Sequence, residues 1–104
     1  MKESAYQTKV LKYLKERGGY YENIWGGGFQ ASGIPDIIGC YRGVFVGFEL
    51  KVGNNKPSKI QEIKVRKINE AGGKAIIAYD TLEPIIELLD QIDMEKDGYE
   101  NERF

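Results

Sequence analysis

The sequence predicts one α/β domain in which helices flank a mixed sheet, with the elements in the order α-β-β-β-α-β-α. At 104 residues the chain is long enough for one domain and short for two. Hydrophobic residues make up 41% and charged residues 30%, a balance typical of soluble globular proteins. Segments with helical periodicity alternate with short apolar runs that favour strands.

Each predicted element has a local signal. Glycine pairs follow the first and second helices, and Pro57 suits the first turn of the second one. The continuous apolar run KAIIAY is typical of a strand buried inside a sheet. The predicted helices cover residues 4–17, 57–71 and 81–93, and the predicted strands cover residues 20–25, 36–41, 44–52 and 74–79. Residues 26–35 are predicted to be a glycine-rich loop. Residues 93–104 are predicted to be an acidic, frayed tail after a domain of residues 1–92.

The charge distribution leaves nucleic acid open as a partner. The net charge is −1, but residues 1–80 hold thirteen basic and eight acidic residues, a balance of +5. Residues 93–104 hold five acidic and two basic residues, a balance of −3. A basic body can attract phosphates, although an ordinary solvated surface explains these charges equally well.

The cysteine content and hydropathy predict an intracellular protein. Cys40 is the single cysteine, which excludes an internal disulfide, and its apolar context (IIGCY) predicts a buried free thiol in a reducing compartment. No apolar run approaches the roughly 20 residues that span a bilayer, and no signal-peptide core is present at the start. We expect no membrane partner and a cytoplasmic location, which would be the host cytoplasm if a phage encodes the chain.

Two segments, GIPDIIG and FELKV, carry the strongest functional signal. Side chains alternate along a strand, so Glu49 and Lys51 project from the same face. If residues 42–43 form a two-residue turn, counting back from it places Asp36 opposite Glu49, with Cβ atoms about 5 Å apart. A register shifted by one stays open, because Arg-Gly is a weaker turn signal than Asn-Gly.

Two facing carboxylates favour a divalent cation. Asp36 and Glu49 would repel each other in a purely structural sheet. Mg²⁺ or Mn²⁺ is held by one or two carboxylates with waters, phosphate oxygens and a backbone carbonyl, for which Leu50 is the candidate. The chain has no histidine and one cysteine, which excludes the usual zinc site. A Pro-Asp pair alone is most often a turn and Glu-x-Lys alone a solvated ion pair, but their combination on matching faces favours a metal site.

Three further polar residues have competing explanations. Glu3 and Gln7 continue the apolar stripe of the first helix, yet a glutamate near a helix N-terminus is also favoured by the helix dipole. Ser58-x-x-Gln61 fits a capping box, which explains Gln61 without a catalytic role, and Ser4-x-x-Gln7 has the same form.

The segments Ile34-Pro35-Asp36 and Glu49-Leu50-Lys51 resemble the signature of the PD-(D/E)XK nuclease superfamily. With Glu3 on the first helix and the Pro-Ser-x-x-Gln start of the second, the chain looks most like the VRR-NUC branch, the virus-type replication-repair nucleases. It is also similar to Holliday-junction resolvases. The resemblance implies a restriction-endonuclease-like core, Asp36 and Glu49 as ligands of Mg²⁺ or Mn²⁺, and Lys51 as the residue that positions the attacking water. It also implies the following further roles: Glu3 as an additional ligand, Gln61 as a catalytic residue, and Ser32 or Gly33 as contacts to the substrate backbone.

The function implied is a metal-dependent, structure-specific DNA endonuclease similar to Holliday-junction resolvases. The alternatives are a nuclease for flap, nicked or single-stranded DNA, a non-catalytic DNA-binding module of the same fold, and a structural protein in which the motif is coincidental. Symmetric cutting of a four-way junction needs two sites, so we expect a homodimer. Candidate phosphate contacts are Arg42, Lys56 and Lys59, candidate loop contacts are Trp25 and Phe29, and candidate dimer contacts are Tyr20, Tyr21 and Trp25.

Overall fold

The computed structural model describes residues 1–24 and 32–102, with side chains described as far as residue 98. The elements are α1 (Glu3–Arg17), β1 (Tyr20–Asn23), β2 (Ile37–Tyr41), β3 (Val44–Lys51), α2 (Lys59–Glu70), β4 (Lys74–Tyr79) and α3 (Glu83–Glu102). The sheet order is β1-β2-β3-β4, in which the first three strands are antiparallel and β4 runs parallel to β3. The predicted element order and mixed sheet are confirmed. No helix in the described ranges is long and apolar enough to cross a membrane.

The two faces of the sheet are covered differently. Helices α1 and α3 pack on one face, where the core contains Val10, Phe48, Leu50 and Leu89. On the other face lies α2, since a Cβ placed on Gly47 would be 3.4 Å from a methyl of Ile68. Because side chains alternate along β3, Glu49 and Lys51 project towards the α2 side.

The hairpin between β2 and β3 has the register that the sequence predicts. Arg42 and Gly43 have φ angles of +50° and +85°, as a type I′ turn requires. Tyr41 pairs with Val44, and the ladder continues to the pair of Ile37 and Phe48. The next opposed positions are those of Asp36 and Glu49, so the register shifted by one is excluded.

The prediction that Cys40 is buried is wrong. Cys40 pairs with Tyr20 on β1 and Phe45 on β3, and all three project from the sheet face on which α2 lies. Because α2 contacts β3 and β4, it leaves this part of the face open, and the thiol is exposed. An apolar run in an antiparallel strand therefore does not bury every residue in it.

Two other expectations differ from the structure. β4 lies at the edge of the described sheet instead of inside it, so Ile76 and Ile77 are only partly buried. The last helix does not end near Asp93 but continues to Glu102, and both Asp93 and Asp97 form ion pairs with Arg42 along this extension. The expected helix end is therefore wrong, whereas the domain boundary at residue 92 stays a prediction.

Candidate active site

Asp36 is fixed at the start of β2 by bonds to both neighbouring strands. Its backbone carbonyl accepts the N–H of Ile24 at 2.9 Å, which continues the pairing with β1. Its Oδ2 accepts the N–H of Leu50 at 2.8 Å, so a side chain replaces the next backbone partner of β3. This arrangement holds the carboxylate against the residue that follows Glu49.

The side chains of Glu49 and Lys51 contact each other at the end of β3. The Nζ of Lys51 lies 3.4 Å from Oε2 of Glu49, and the Glu49 side chain is only 2% exposed. The Oε1 atom of Glu49 is also buried and has no hydrogen-bond partner in the described part of the chain. An unpartnered buried carboxylate oxygen is costly, and either a proton shared with Asp36 or a bound cation would satisfy it.

The two carboxyl groups are electrostatically coupled. Burial, followed by the negative charge of Asp36, raises the pKa of Glu49 to about 8, and the Lys51 ammonium opposes this change. Burial also raises the pKa of Asp36, although the hydrogen bond from Leu50 opposes the increase. Without a cation, the pair therefore holds a proton at neutral pH.

The donor set fits a hard divalent cation that keeps part of its water shell. Asp36 and Glu49 supply two carboxylates, and the backbone carbonyl of Leu50, between Glu49 and Lys51, stays the predicted third donor. Mg²⁺ and Mn²⁺ are commonly bound in this way, with phosphate oxygens completing the shell. Within residues 1–24 and 32–98, no three or more acidic, histidine or cysteine side chains form a metal-binding cluster. The structure thus does not join Glu3 to the pair, and its role as a ligand stays a prediction.

The two glutamines differ sharply. Gln61 completes the predicted capping box, in which its Oε1 accepts the Ser58 N–H at 2.9 Å and its own N–H reaches Ser58 Oγ at 3.2 Å. Gln7 forms no such cap, because the N-cap of α1 is Lys2. Its side chain is 2% exposed, and neither amide atom has a partner among the described residues. In the sequence, Gln7 is recognisable as a polar amide at a position where the helical periodicity predicts a buried apolar residue.

The candidate phosphate contacts lie in two separate places. Lys56 and Lys59 are exposed beside the start of α2. Gly33, with φ of +83°, packs so closely on Ile60 that a Cβ would lie 2.8 Å from its carbonyl oxygen, which brings Ser32 and Gly33 to the same region. Trp25 and Phe29 lie outside the described residues.

Arg42 lies at the opposite end of the hairpin from the carboxylates. Its guanidinium forms ion pairs with Asp93 at 2.9 Å and Asp97 at 3.0 Å. Asp93 also pairs with Arg17 at 2.8 Å and accepts the hydroxyl of Tyr41 at 3.0 Å. The structure does not bring Arg42 to the site, and its contact to DNA stays a prediction.

Sequence reasoning also missed Asp80. This residue follows β4, and its backbone N–H donates to the carbonyl oxygen of Lys51 at 3.2 Å. The sequence shows only an acidic residue directly after an apolar strand. Nothing in the sequence indicates that this residue lies near the other candidate site residues.

The chain matches one family model over nearly its whole length. The model describes the archaeal Holliday junction resolvases (Hjc), and it matches residues 2–102. No curated protein and no solved structure gives a significant match. The match includes both segments that carry Asp36, Glu49 and Lys51. With the α/β fold and the hairpin geometry described above, the chain belongs to the archaeal Holliday junction resolvase family, within the restriction-endonuclease-like PD-(D/E)XK superfamily.

Proposed function

We propose that this protein is a Mg²⁺- or Mn²⁺-dependent endonuclease that cuts branched DNA, with the four-way junction as its preferred substrate. The observation that carries the proposal is the buried pair of Asp36 and Glu49 beside Lys51, with one Glu49 oxygen unpartnered. A purely structural sheet gains nothing from two coupled carboxyl groups in this position. The family match supports branched DNA as the substrate class.

The residues divide the chemistry between them. Asp36, Glu49 and the Leu50 carbonyl would hold the cation, which would lower the pKa of a bound water and polarise a phosphate oxygen. The Lys51 ammonium is placed to donate a hydrogen bond to the attacking water and to offset the negative charge that develops on the phosphate. Lys56 and Lys59 would contact DNA phosphates, which position the strand without reading its sequence.

The first experiment compares variants on a labelled four-way junction. We expect Asp36→Asn and Lys51→Ala to abolish cleavage in Mg²⁺ or Mn²⁺ while junction binding persists, since neither change removes the surface lysines. Lys12→Ala, on an exposed position of α1, is the matched control and should cleave normally. Cleavage by either site variant at the parent rate would refute the assignment.

A panel of substrates separates the remaining alternatives. Faster cleavage of four-way junctions than of flaps, nicked duplex or single strands supports the resolvase function. Preference for one of the other substrates would redirect the proposal to that nuclease class. Binding without cleavage of any substrate would favour the non-catalytic DNA-binding module.

The proposal includes a homodimer and the VRR-NUC branch. Two sites related by a two-fold axis would allow symmetric cutting of a junction. Tyr20 is 65% and Phe45 45% exposed on the open part of the sheet face, which supports an apolar contact there, whereas Tyr21 is buried at 6% and is unsuitable. Sedimentation equilibrium should give twice the monomer mass. The Pro-Ser-x-x-Gln capping box supports the VRR-NUC assignment.

A further inference from the structure

Asp80 holds the backbone immediately after Lys51. Tyr79 is the last partner of Lys51 in the parallel ladder, so Asp80 lies one residue beyond the end of β4. Its N–H donates to the Lys51 carbonyl at 3.2 Å, and its carboxylate oxygens accept the N–H of Gly53 at 3.1 and 3.3 Å. One residue therefore fixes the chain on both sides of Val52.

The conformation of Asp80 is unusual and anchored. Its φ angle is +59°, a region that L-residues rarely occupy and that Asp and Asn tolerate best. The carbonyl of the next residue, Thr81, accepts the hydroxyl of the fully buried Tyr6 at 2.7 Å. The turn after β4 is thus tied to the core side of α1.

The end of β3 is held by aspartates at both edges. On the β2 side the ladder stops at Ile37, and the Asp36 carboxylate accepts the N–H of Leu50. On the β4 side the ladder stops at Tyr79, and Asp80 forms the next hydrogen bonds to the β3 segment. Lys51 therefore lies between two aspartates, Asp36 and Asp80, whose carboxylates accept backbone N–H groups of the β3 segment where the neighbouring strands have ended.

We propose that Asp80 is a positioning residue of the active site, which keeps the Lys51 ammonium beside Glu49 by fixing the backbone that follows it. The inference rests on the proposed nuclease function. The lysine stem is flexible, so the location of its Nζ depends on the direction in which the backbone projects it. A displacement of about 1 Å at a reacting group can lower turnover as much as a hundredfold.

The test uses three substitutions that separate backbone strain from hydrogen bonding. Asp80→Ala loses the acceptor and disfavours the positive φ, and Asp80→Gly loses the acceptor but permits that φ. Asp80→Asn removes the charge and keeps both an acceptor and the tolerance of this φ. Glu83→Ala, an exposed change three residues further on, is the control. We would measure single-turnover junction cleavage, junction affinity and amide hydrogen exchange at Gly53.

We expect Asp80→Ala and Asp80→Gly to lower the cleavage rate at saturating enzyme at least about tenfold, with junction affinity unchanged and exchange at Gly53 faster. Asp80→Asn should restore both rate and protection, which a role of the charge alone would not allow. Faster exchange at Gly53 with an unchanged cleavage rate would overturn the positioning role. Unchanged exchange at Gly53 in Asp80→Gly would show that the Asp80 carboxylate does not hold the Gly53 N–H, which would overturn the proposal. A parent protein that cleaves no DNA would refute the proposed function. Exchange at Gly53 would still decide whether the Asp80 carboxylate fixes the backbone after Lys51.

Discussion

Replacing Glu49 by glutamine should stabilise the metal-free protein while it abolishes cleavage. The folded protein holds a proton on Glu49 up to a pKa of about 8, whereas the unfolded chain releases it near the ordinary value of 4.5. A carboxyl group with a raised folded pKa favours the folded state most at low pH, and this contribution is lost as the pH rises from 4.5 towards 8. Glutamine is uncharged in both states and avoids the loss.

The magnitude follows from the interval between the two pKa values. At pH 7 the folded site is still largely protonated, and each pH unit above 4.5 is worth about 1.4 kcal/mol, so the penalty in the parent protein is at most about 3.5 kcal/mol. The side chain is 2% exposed, so little solvent screening reduces this value. For a domain of this size, 1 kcal/mol corresponds to about 4–8 °C in Tm.

The assay is thermal and urea unfolding of the parent protein and Glu49→Gln in EDTA between pH 4.5 and 8. We expect the variant to gain stability relative to the parent as the pH rises, with a higher Tm at pH 7. Adding Mn²⁺ should raise the Tm of the parent and leave the variant unchanged. Glu87→Gln, an exposed change on α3, is the control. A variant that is less stable than the parent at pH 7 in EDTA would refute the reasoning.

Four further substitutions probe the scaffold. Gly39→Ala should destabilise the protein by about 3 kcal/mol in urea unfolding, because its Cβ would lie 2.1 Å from a carbonyl oxygen of β1. Ser58→Ala should cost about 1 kcal/mol of unfolding free energy by removing the cap of α2. If Gln61 only caps, Gln61→Ala should reduce stability similarly and leave the cleavage rate unchanged. Asp93→Asn should remove a stabilising contribution that is present above about pH 4 and is lost as the pH falls, because hydrogen bonds from two arginines lower the pKa of Asp93 to about 2.

Each of these expectations has a contradicting outcome. A Gly39→Ala protein as stable as the parent would mean that β1 and β2 can separate without cost. A cleavage defect in Gln61→Ala, with Ser58→Ala fully active, would assign Gln61 a catalytic role. Parallel stability curves for Asp93→Asn and the parent from pH 2 to 6 would show that its ion pairs contribute nothing in solution.

The hairpin that carries the candidate site was predictable because its determinants are local. The turn residues and the alternation of side chains fix which residues of β2 and β3 oppose each other, and the register that follows from them agrees with the structure. The capping box at Ser58 and Gln61 is equally local and is confirmed. These features depend on residues no more than thirteen positions apart in the chain.

Features that depend on distant contacts were not predictable. The exposure of Cys40 depends on how far α2 extends across the sheet, which the strand sequence does not encode. The residues of α3 near its expected end contact Arg17 and Arg42, both more than 50 positions away from Asp93, and no local pattern indicates these contacts. Asp80 reaches the site only because β4 lies parallel to β3, a pairing that no local pattern specifies.

The ion pairs of α3 also bear on how an acidic protein could approach DNA. Between residues 83 and 102, α3 carries eight acidic residues and one lysine, and it packs on the face of the sheet opposite α2. Helix α2 carries four basic and two acidic residues and lies on the side towards which Glu49 and Lys51 project. Helix α1, on the same face as α3, carries four basic and two acidic residues, so the charge difference across the sheet is reduced. It keeps its sign, with the side of α1 and α3 acidic and α2 basic, which gives an electric dipole across the sheet. Such a dipole turns the face with the candidate site towards a polyanion before contact, so the orientation of encounter does not require a positive net charge.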